Sequence, residues 1–231
     1  MIKQVINIAI DIETLSLESN AAIVAIAAIP FNKRCSMPTF DHVFEVKPNM
    51  ASESLSPFYE VINATSCAIH GMHFDMETIQ WWSKQNESAK AELLSREPMN
   101  IGEALNAFHN YLEGIKLAYD ADIVVWAQGS NFDIPIISNA YRKLMPGVQL
   151  PWNYRNVRDA RSIILETIET LHGACENPYE HIPSLPNVDA VPHSAWSDAH
   201  KTAWSVSVLN SLACLSTSAV TTSDTTQKSS E

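Results

Sequence analysis

The sequence contains little that would mark a membrane protein or a disulfide-bonded one. Its longest apolar run, AAIVAIAAIPF at 21–31, is too short to cross a bilayer, and the N-terminus begins a strand pattern rather than a signal peptide. The four cysteines lie far apart and form no CxxC pair, which argues against a disulfide framework and against a zinc site. We therefore expect reduced thiols in a cytoplasmic protein that does not associate with membranes.

Basic residues are also scarce. The chain has 15 lysines and arginines against 26 acidic residues, a net charge of −11, so the totals reveal no basic face for nucleic acid. A nucleic-acid substrate is not excluded, because metal ions can neutralise a phosphate chain locally. Hydrophobic residues make up 46% of the 231 residues, which suits one soluble globular domain with a tail.

The pattern of apolar residues predicts strands first, and then helices interleaved with a further strand. Strands are expected at 5–13, 21–29 and 40–46, as an antiparallel meander, and at 122–129. Helices are expected at 52–63, 77–95, 101–118, from about 133, 159–171 and 195–212. This order indicates an α/β or α+β protein with one sheet flanked by helices.

Two segments lack a regular pattern. Residues 173–192 contain four prolines and are expected to form a long loop, of the kind that is usually functional or mobile. The Ser/Thr-rich end, residues 214–231, has almost nothing to bury. We expect it to be a flexible tail that follows a folded domain at 1–213.

The stretch IDIET at 10–14 ends a buried-looking strand with two acids. Side chains two residues apart share a face of a strand, so Asp11 and Glu13 point one way while Ile10 and Ile12 point into the core. Two close anions repel each other and lose solvation, and a divalent cation relieves both effects. Oxygen ligands suit Mg²⁺ or Mn²⁺. The alternative is that the strand ends at Ile10 and both acids are solvated.

Two later motifs contain further candidates. In NFD at 131–133, Asp133 is suited either to cap a helix start or to join a metal site. In HSAWSDA at 193–199, His193 precedes the last helix and Asp198 lies in its first turn. One interpretation is a surface histidine and a solvated acid. The other is that Asp198 binds metal while His193, a side chain that titrates near neutral pH, takes a proton from water.

The three motifs, in this order, resemble those of the DEDDh exonucleases. These are RNase H-like 3′→5′ exonucleases that include the proofreading subunit of bacterial DNA polymerase, RNase T and oligoribonuclease. The resemblance covers residues 1–213. TIQWWSKQ at 78–85 and RDARS at 158–162 further resemble the short exonucleases of phages, prophages and some bacteria.

The resemblance implies a fold, a reaction and a site. The fold would be RNase H-like, with a mixed five-stranded sheet in which an antiparallel meander is followed by a parallel strand. The reaction would be hydrolysis at the 3′ end of single-stranded DNA or RNA, with release of nucleoside 5′-monophosphates. Two divalent ions, Mg²⁺ or Mn²⁺, would assist it, with His193 as general base. The metal-binding acids would be Asp11, Glu13, Asp133 and Asp198.

The resemblance also suggests substrate contacts. Thr14 and Leu15 would touch the terminal nucleotide, and Gln85 is a weaker candidate. Arg158 and Arg161 would either meet phosphate or pair with Asp159 and neighbouring acids. Three tryptophans would either stack on bases or fill the core, namely Trp81, Trp82 and Trp126.

Two other functions compete with the exonuclease. One is a non-catalytic module on the same fold that binds nucleic acid or a protein partner. The other is a phosphodiesterase or nucleotidase that acts on small molecules. The choice between ribose and deoxyribose stays open, and a homodimer is expected by analogy only.

Overall fold

A mixed sheet of five strands forms the centre of the protein. The computed structural model describes residues 3–35, 38–188 and 191–227. The strands are β1 (Gln4–Thr14), β2 (Ile23–Phe31), β3 (Phe58–Val61), β4 (Ala121–Ala127) and β5 (Val157–Asp159). Their order is β3-β2-β1-β4-β5; β2 is antiparallel to β1 and β3, and β4 is parallel to β1 and β5. The expected mixed five-stranded sheet is therefore confirmed.

Helices cover both faces of this sheet. They are α1 (Phe40–Phe44), α2 (Ala64–Ile69), α3 (Met76–Ser83), α4 (Glu87–Glu92), α5 (Ile101–Tyr119), α6 (Ser130–Leu144), α7 (Ala160–His172) and α8 (Ala195–Gln227). Single 3₁₀ turns lie at Pro48–Met50, Tyr154–Asn156 and Pro178–His181. Across the residues described, no helix combines the length and the apolar character that crossing a membrane requires.

The two faces of the sheet differ in side-chain size. On one face, isoleucines of β1 such as Ile8 and Ile10 pack in a cluster with residues of α5 and α6. Each such side chain contributes roughly 1.5–3 kcal/mol on full burial. On the other face, Ala25 and Ala27 of β2 pack in the cluster that contains α7 and α8, and they pair in register with Glu13 and Asp11. These small residues let α8 approach the acids of β1.

The helix predicted at 101–118 is confirmed as α5. Its apolar positions recur every three or four residues, and all of them are buried against the sheet. They are Ile101, Ala104, Leu105, Phe108, Leu112 and Ile115.

The third strand of the predicted meander was placed wrongly. Residues 40–44 form α1, because Thr39 caps its first turn and the rings of Phe40 and Phe44 meet four residues apart, 4.7 Å between centroids. The helix predicted at 52–63 is also wrong, since β3 lies there. Phe58 and Tyr59 of β3 pack on opposite faces of the sheet. Because both faces are buried, the sequence of β3 does not alternate between apolar and polar residues as an edge strand usually does.

Several boundaries differ from the predictions. The helix predicted at 77–95 is two helices, since Asn86 caps a new start by accepting the N–H of Ala89 at 2.7 Å. The short β5 was not predicted. It ends at Asp159, which caps α7 by accepting the N–H of Ser162 at 2.9 Å. α6 begins at Ser130, so Pro135 lies inside that helix.

The last helix is longer than predicted. α8 continues to Gln227 rather than ending near residue 212, and the sequence between these positions contains no glycine or proline that would stop it. Residues 228–231 of the predicted tail, and 189–190 of the predicted loop, lie outside the described residues. The division into a domain at 1–213 and a flexible tail at 214–231 stays a prediction.

Candidate active site

Three acids from two distant parts of the chain converge at one end of the sheet. Asp11 and Glu13 lie on the same face of β1, and Asp198 lies in the first turn of α8. One carboxylate oxygen from each lies within 4.8 Å of the others. The predicted grouping of these acids is therefore present, and neither Asp11 nor Glu13 is a solvated residue beyond the end of the strand.

Asp133 joins this site from the other side of β1. It is 4% exposed, and its Oδ1 accepts the N–H of Ile12, between the two strand acids, at 3.3 Å. Gly129, with a φ of 105°, makes the turn that starts α6 and brings Asp133 to face β1. Asp133 thus bonds to a neighbouring strand rather than capping its own helix.

Burial and mutual repulsion make the charged state of these acids costly. Burial, followed by the charges of Asp133, Glu13 and Asp198, raises the pKa of Asp11 well above its usual value. Burial, then Asp198, raises the pKa of Glu13 to about 8. Burial also raises the pKa of Asp133 to about 7, against the N–H of Ile12, which lowers it. The negative charge of the cluster is therefore not balanced by the positive charge nearby.

Lys201 is a cation at the edge of the cluster that the sequence interpretation missed. Its Nζ lies 2.8 Å from Oδ1 of Asp198, and its charge lowers the pKa of Asp11. A signal was available, because a residue three positions after Asp198 on a helix shares its face.

His193 is tied to the same carboxylate. Its backbone N–H donates to Oδ2 of Asp198 at 3.2 Å, and its φ of 58° is left-handed. Its ring meets the edge of Trp81 with 4.6 Å between centroids. Ser194 begins α8 by accepting the N–H of Ser197 at 3.0 Å. The structure thus places His193 beside Asp198, as expected.

Two cavities open on the acids. We call the first the Arg161 cavity; it has a volume of about 620 Å³ and its lining includes Asp11, His193 and Lys201. We call the second the Trp81 cavity; it has a volume of about 400 Å³ and its lining includes Glu13 and Thr14. Because His193 lines the first cavity and contacts Trp81 of the second, the two cavities meet at this pair of rings.

The predicted substrate contacts are only partly brought together. Thr14 lines the Trp81 cavity, and its hydroxyl donates to the carbonyl of Ser16 at 2.7 Å. Leu15 packs against the core, and the exposed Leu17 lines the cavity instead. The side chain of Gln85 donates to the carbonyl of Trp81 at 3.0 Å, at the end of α3.

The two arginines lie apart. Arg161 lines its cavity and donates to the carbonyl of Gln128 at 3.2 Å. Arg158 donates to the carbonyls of Arg155 and Val157, at 2.7 and 2.9 Å. Asp159 accepts backbone N–H groups from Ser130 and Ser162.

The tryptophans divide between core and site. Trp126 is 1% exposed, and the buried Trp82 donates its indole N–H to the carbonyl of Thr14 at 2.9 Å. Trp81 is 41% exposed and lines the cavity named after it. Trp81 alone of the three presents an accessible aromatic face.

The donor set fits a hard divalent cation. The converging atoms are carboxylate oxygens, the ligands that Mg²⁺ and Mn²⁺ prefer. Burial disfavours the charged carboxylates, and a bound cation would favour them. A cation site would therefore explain why four acids lie close together in a mostly buried position.

We expect the metal-free protein to become less stable as the pH rises from about 5 to about 8. Glu13 keeps its proton up to a pKa of about 8 in the folded protein, against 4.5 for a free glutamate. Between these values the folded state binds more protons than the unfolded state, so the free energy of unfolding falls with increasing pH. The melting temperature in EDTA should fall by roughly 5–10 °C.

Glu13→Gln should flatten this pH dependence, whereas the control Glu103→Gln, at an exposed glutamate of α5, should retain it. Mg²⁺ should raise the melting temperature more at pH 8 than at pH 5, because bound cations need the deprotonated acids. An unchanged slope in Glu13→Gln would contradict the assignment of the effect to this cluster.

The chain matches a family model and several solved structures. A family model described as the 3′-5′ exoribonuclease Rv2179c-like domain matches residues 6–210. Among solved structures, apo exonuclease I covers 88% of this chain with a TM-score of 0.52 at 12% identity, and a product-bound exonuclease I covers 90% with a TM-score of 0.52 at 13% identity. A zinc-bound complex of E. coli exonuclease I with single-stranded DNA covers 87%, with a TM-score of 0.50 at 12% identity.

This chain matches 41%, 43% and 39% of the length of those three structures. At such identities the likeness shows the fold, and the expected RNase H-like fold is confirmed. No curated protein matches the chain. The matched family segment contains all four acids and His193. The chain therefore belongs to the Rv2179c-like 3′-5′ exoribonuclease domain family.

Proposed function

We propose that this protein is a metal-dependent 3′→5′ exonuclease that hydrolyses the terminal phosphodiester bond of single-stranded RNA or DNA. The observation that carries the proposal is the convergence of Asp11, Glu13 and Asp198 within 4.8 Å, with His193 hydrogen-bonded to Asp198. The products would be nucleoside 5′-monophosphates. The family description names an exoribonuclease and one structural neighbour is a complex with single-stranded DNA, so RNA is the first polymer to test and DNA the second.

The acids divide the work of holding metal. Asp11, Glu13 and Asp198 would hold one divalent ion, Mg²⁺ or Mn²⁺, and Asp133 would complete a site for a second near Asp11. Two such ions, when bound, would activate a water and stabilise the charge on the leaving 3′-oxygen. The chain contributes preorganisation, because β1 and α8 set the carboxylate positions through backbone pairing and helix packing before substrate arrives.

His193 is positioned to accept the proton of the attacking water. Its side chain is exposed and lines the Arg161 cavity together with Asp11 and Asp198, which supports this role. The left-handed backbone at His193 costs about 1–2 kcal/mol for a non-glycine residue. The hydrogen bond to Asp198 and the contact with Trp81 offset that cost and orient the imidazole.

The Trp81 cavity is the proposed seat of the 3′-terminal nucleotide. Its lining combines the aromatic rings of Trp81 and Phe132 with Leu17 and Thr14, next to Glu13. Aromatic faces accept any base and contribute roughly 1–3 kcal/mol per stacked base. The scissile phosphate would then lie between this cavity and the Arg161 cavity, over the acids.

Digestion of matched oligonucleotides tests the proposal. RNA and DNA strands of the same sequence, each labelled at either the 3′ or the 5′ end, are incubated with EDTA, Mg²⁺ or Mn²⁺. A 3′ label should appear as mononucleotide from the first turnover, while 5′-labelled strands shorten one nucleotide at a time. If neither polymer is shortened with either metal, the enzyme proposal fails and the non-catalytic binding module becomes the better account.

A strand that ends in a 3′-phosphate should be degraded at least about tenfold more slowly than one that ends in a 3′-hydroxyl. The extra phosphate would have to enter the Trp81 cavity, where the apolar side chains of Leu17, Trp81 and Phe132 offer no partner for its charge. Initial rates on the two strands measure the effect. A phosphate at the 5′ end is the matched control and should leave the rate unchanged; equal rates on both 3′ ends would rule out end-directed cleavage.

The proposed preference for single strands, the homodimer, the cytoplasmic location and the phage or prophage origin stay predictions. Size-exclusion chromatography with light scattering tests the homodimer directly.

A further inference from the structure

Among the described residues of this acidic protein, most arginines form no ion pair. Within the described part of the chain, Arg96 forms an ion pair with Glu60 at 3.5 Å, and the other arginines form none. The others are Arg34, Arg142, Arg155, Arg158 and Arg161. With 26 acidic residues in the chain, guanidinium groups outside such ion pairs mark a surface suited to an anionic ligand; the charge of Arg161 also lowers the pKa of the buried Asp133.

Three of these arginines, which we call the arginine row, follow one another along the last strand of the sheet. Arg155, Arg158 and Arg161 recur at every third residue, before, within and after β5. β5 is the last strand of the sheet, so its outer edge carries no neighbouring strand. The guanidinium of Arg158 bonds to the carbonyls of Arg155 and Val157, contacts that orient it without cancelling its charge.

A further cation, Lys33, lies near the middle of this row, with Arg34 next to it in the chain. Lys33 and Arg34 follow β2, and Lys33 Nζ lies 5.1 Å from the centre of the Trp126 ring, which is paired in register with Arg158. Burial, then the charges of Arg34 and Arg158, lowers the pKa of Lys33. Lys33, Arg34 and Arg158 thus form a positively charged part of the surface.

The two ends of the row open on different cavities. Arg161 lines the cavity that contains Asp11 and His193. At the other end, Arg155 lines a groove of about 1080 Å³, and its guanidinium lies 5.5 Å from the centre of the Tyr154 ring. Tyr154 is 76% exposed. An exposed aromatic ring beside a guanidinium is the chemistry that stacks an unpaired base next to its phosphate.

We propose that the arginine row binds the phosphates of a single-stranded nucleic acid upstream of its 3′ end and leads the strand into the Arg161 cavity. The inference rests on the proposed exonuclease function, since the row ends beside Asp11. A single strand fits better than a duplex, because the exposed ring of Tyr154 can stack only on an unpaired base. An acidic protein segment could pair with the arginines, but it would not explain the exposed ring of Tyr154 beside Arg155.

The first test measures binding without turnover. A fluorescent RNA of about 20 nucleotides is titrated in EDTA with the wild-type protein, Arg155→Gln/Arg158→Gln, and the control Lys90→Gln, which removes a cation already paired with Glu87 of α4. The double variant should bind about tenfold more weakly, and its slope of log K against log salt should shrink by about 1.4, or 0.7 per lost phosphate contact. The control should bind as wild type does.

The second test measures the dependence on substrate length. The ratio of kcat/KM for the RNA of about 20 nucleotides to kcat/KM for a dinucleotide should fall about tenfold in Arg155→Gln/Arg158→Gln. Arg155→Lys/Arg158→Lys keeps both charges and should restore most of this ratio. Because it also removes the guanidinium contacts of Arg158, its recovery would show that losing those contacts does not disturb the fold.

The outcomes separate the two proposals. Equal binding by the double variant and Lys90→Gln, or an equal loss on both substrate lengths, would overturn the arginine row even in an active enzyme. If the wild-type protein cleaves nothing, the exonuclease proposal fails, while the EDTA titration still decides whether the row binds nucleic acid.

Discussion

Replacing Asp11 by asparagine is expected to slow 3′-terminal hydrolysis at least about 10³-fold and, at the same time, to stabilise the metal-free protein. The loss follows because Asp11 would contribute to holding both proposed ions. Metal stabilisation of the developing charge would supply several kcal/mol, and each 1.36 kcal/mol is tenfold in rate. The gain follows because the amide of the new side chain would carry no charge beside Glu13, Asp133 and Asp198.

Activity and thermal melting with and without Mn²⁺ check this prediction. In EDTA the melting temperature of Asp11→Asn should exceed that of the wild type by several degrees, and Mn²⁺ should no longer raise it. Asp120→Asn is a matched control, since Asp120 is exposed and has a left-handed backbone that asparagine tolerates. A variant that keeps a tenth of the rate would contradict the metal-holding role of Asp11, and one that melts lower in EDTA would contradict the repulsion argument.

Replacing His193 by asparagine should lower kcat by about 10²–10⁴-fold and leave Mn²⁺ binding within a few-fold of wild type. General-base catalysis by a positioned side chain supplies an effect of this size. Asparagine is the most informative substitution, because it tolerates the φ of 58° and so removes the imidazole without forcing the loop to rearrange.

Calorimetric titration with Mn²⁺ and single-turnover rates separate the two effects. His70→Asn, at an exposed histidine that ends α2, is the control and should behave as wild type. Loss of Mn²⁺ binding in His193→Asn would assign His193 to the structure of the metal site, and retention of more than a tenth of kcat would exclude it as the base.

The acids of the site could be predicted because each lies where a local rule acts. The period of two along β1 put Asp11 and Glu13 on one face, and the helical pattern after Ala195 put Asp198 in a first turn. Their convergence was not visible in spacing alone; it came from the order of motifs shared with a family. The structure also shows how the acids are accommodated: the small alanines of β2 beside them leave space between the sheet and α8.

Other features depended on tertiary contacts that no local pattern encodes. FDHVF alternates like a strand, but a cap at Thr39 and a contact between two rings make it helical. Trp81 and Trp82 are adjacent and chemically identical, yet Trp81 is exposed, whereas Trp82 is buried and donates a hydrogen bond to the carbonyl of Thr14. The arginine row became visible only when β5 proved to be an edge.

The carboxylate of Asp198 has a double attachment that bears on how inactive forms should be made. Its two oxygens accept hydrogen bonds from the backbone of His193 and from Lys201. A substitution of Asp198 would remove a proposed metal ligand and also release the loop before α8. A slower rate in such a variant could therefore not be assigned to either effect alone. For trapping an intact complex with RNA, an inactive protein altered at Asp11 would keep the hydrogen bond between His193 and Asp198.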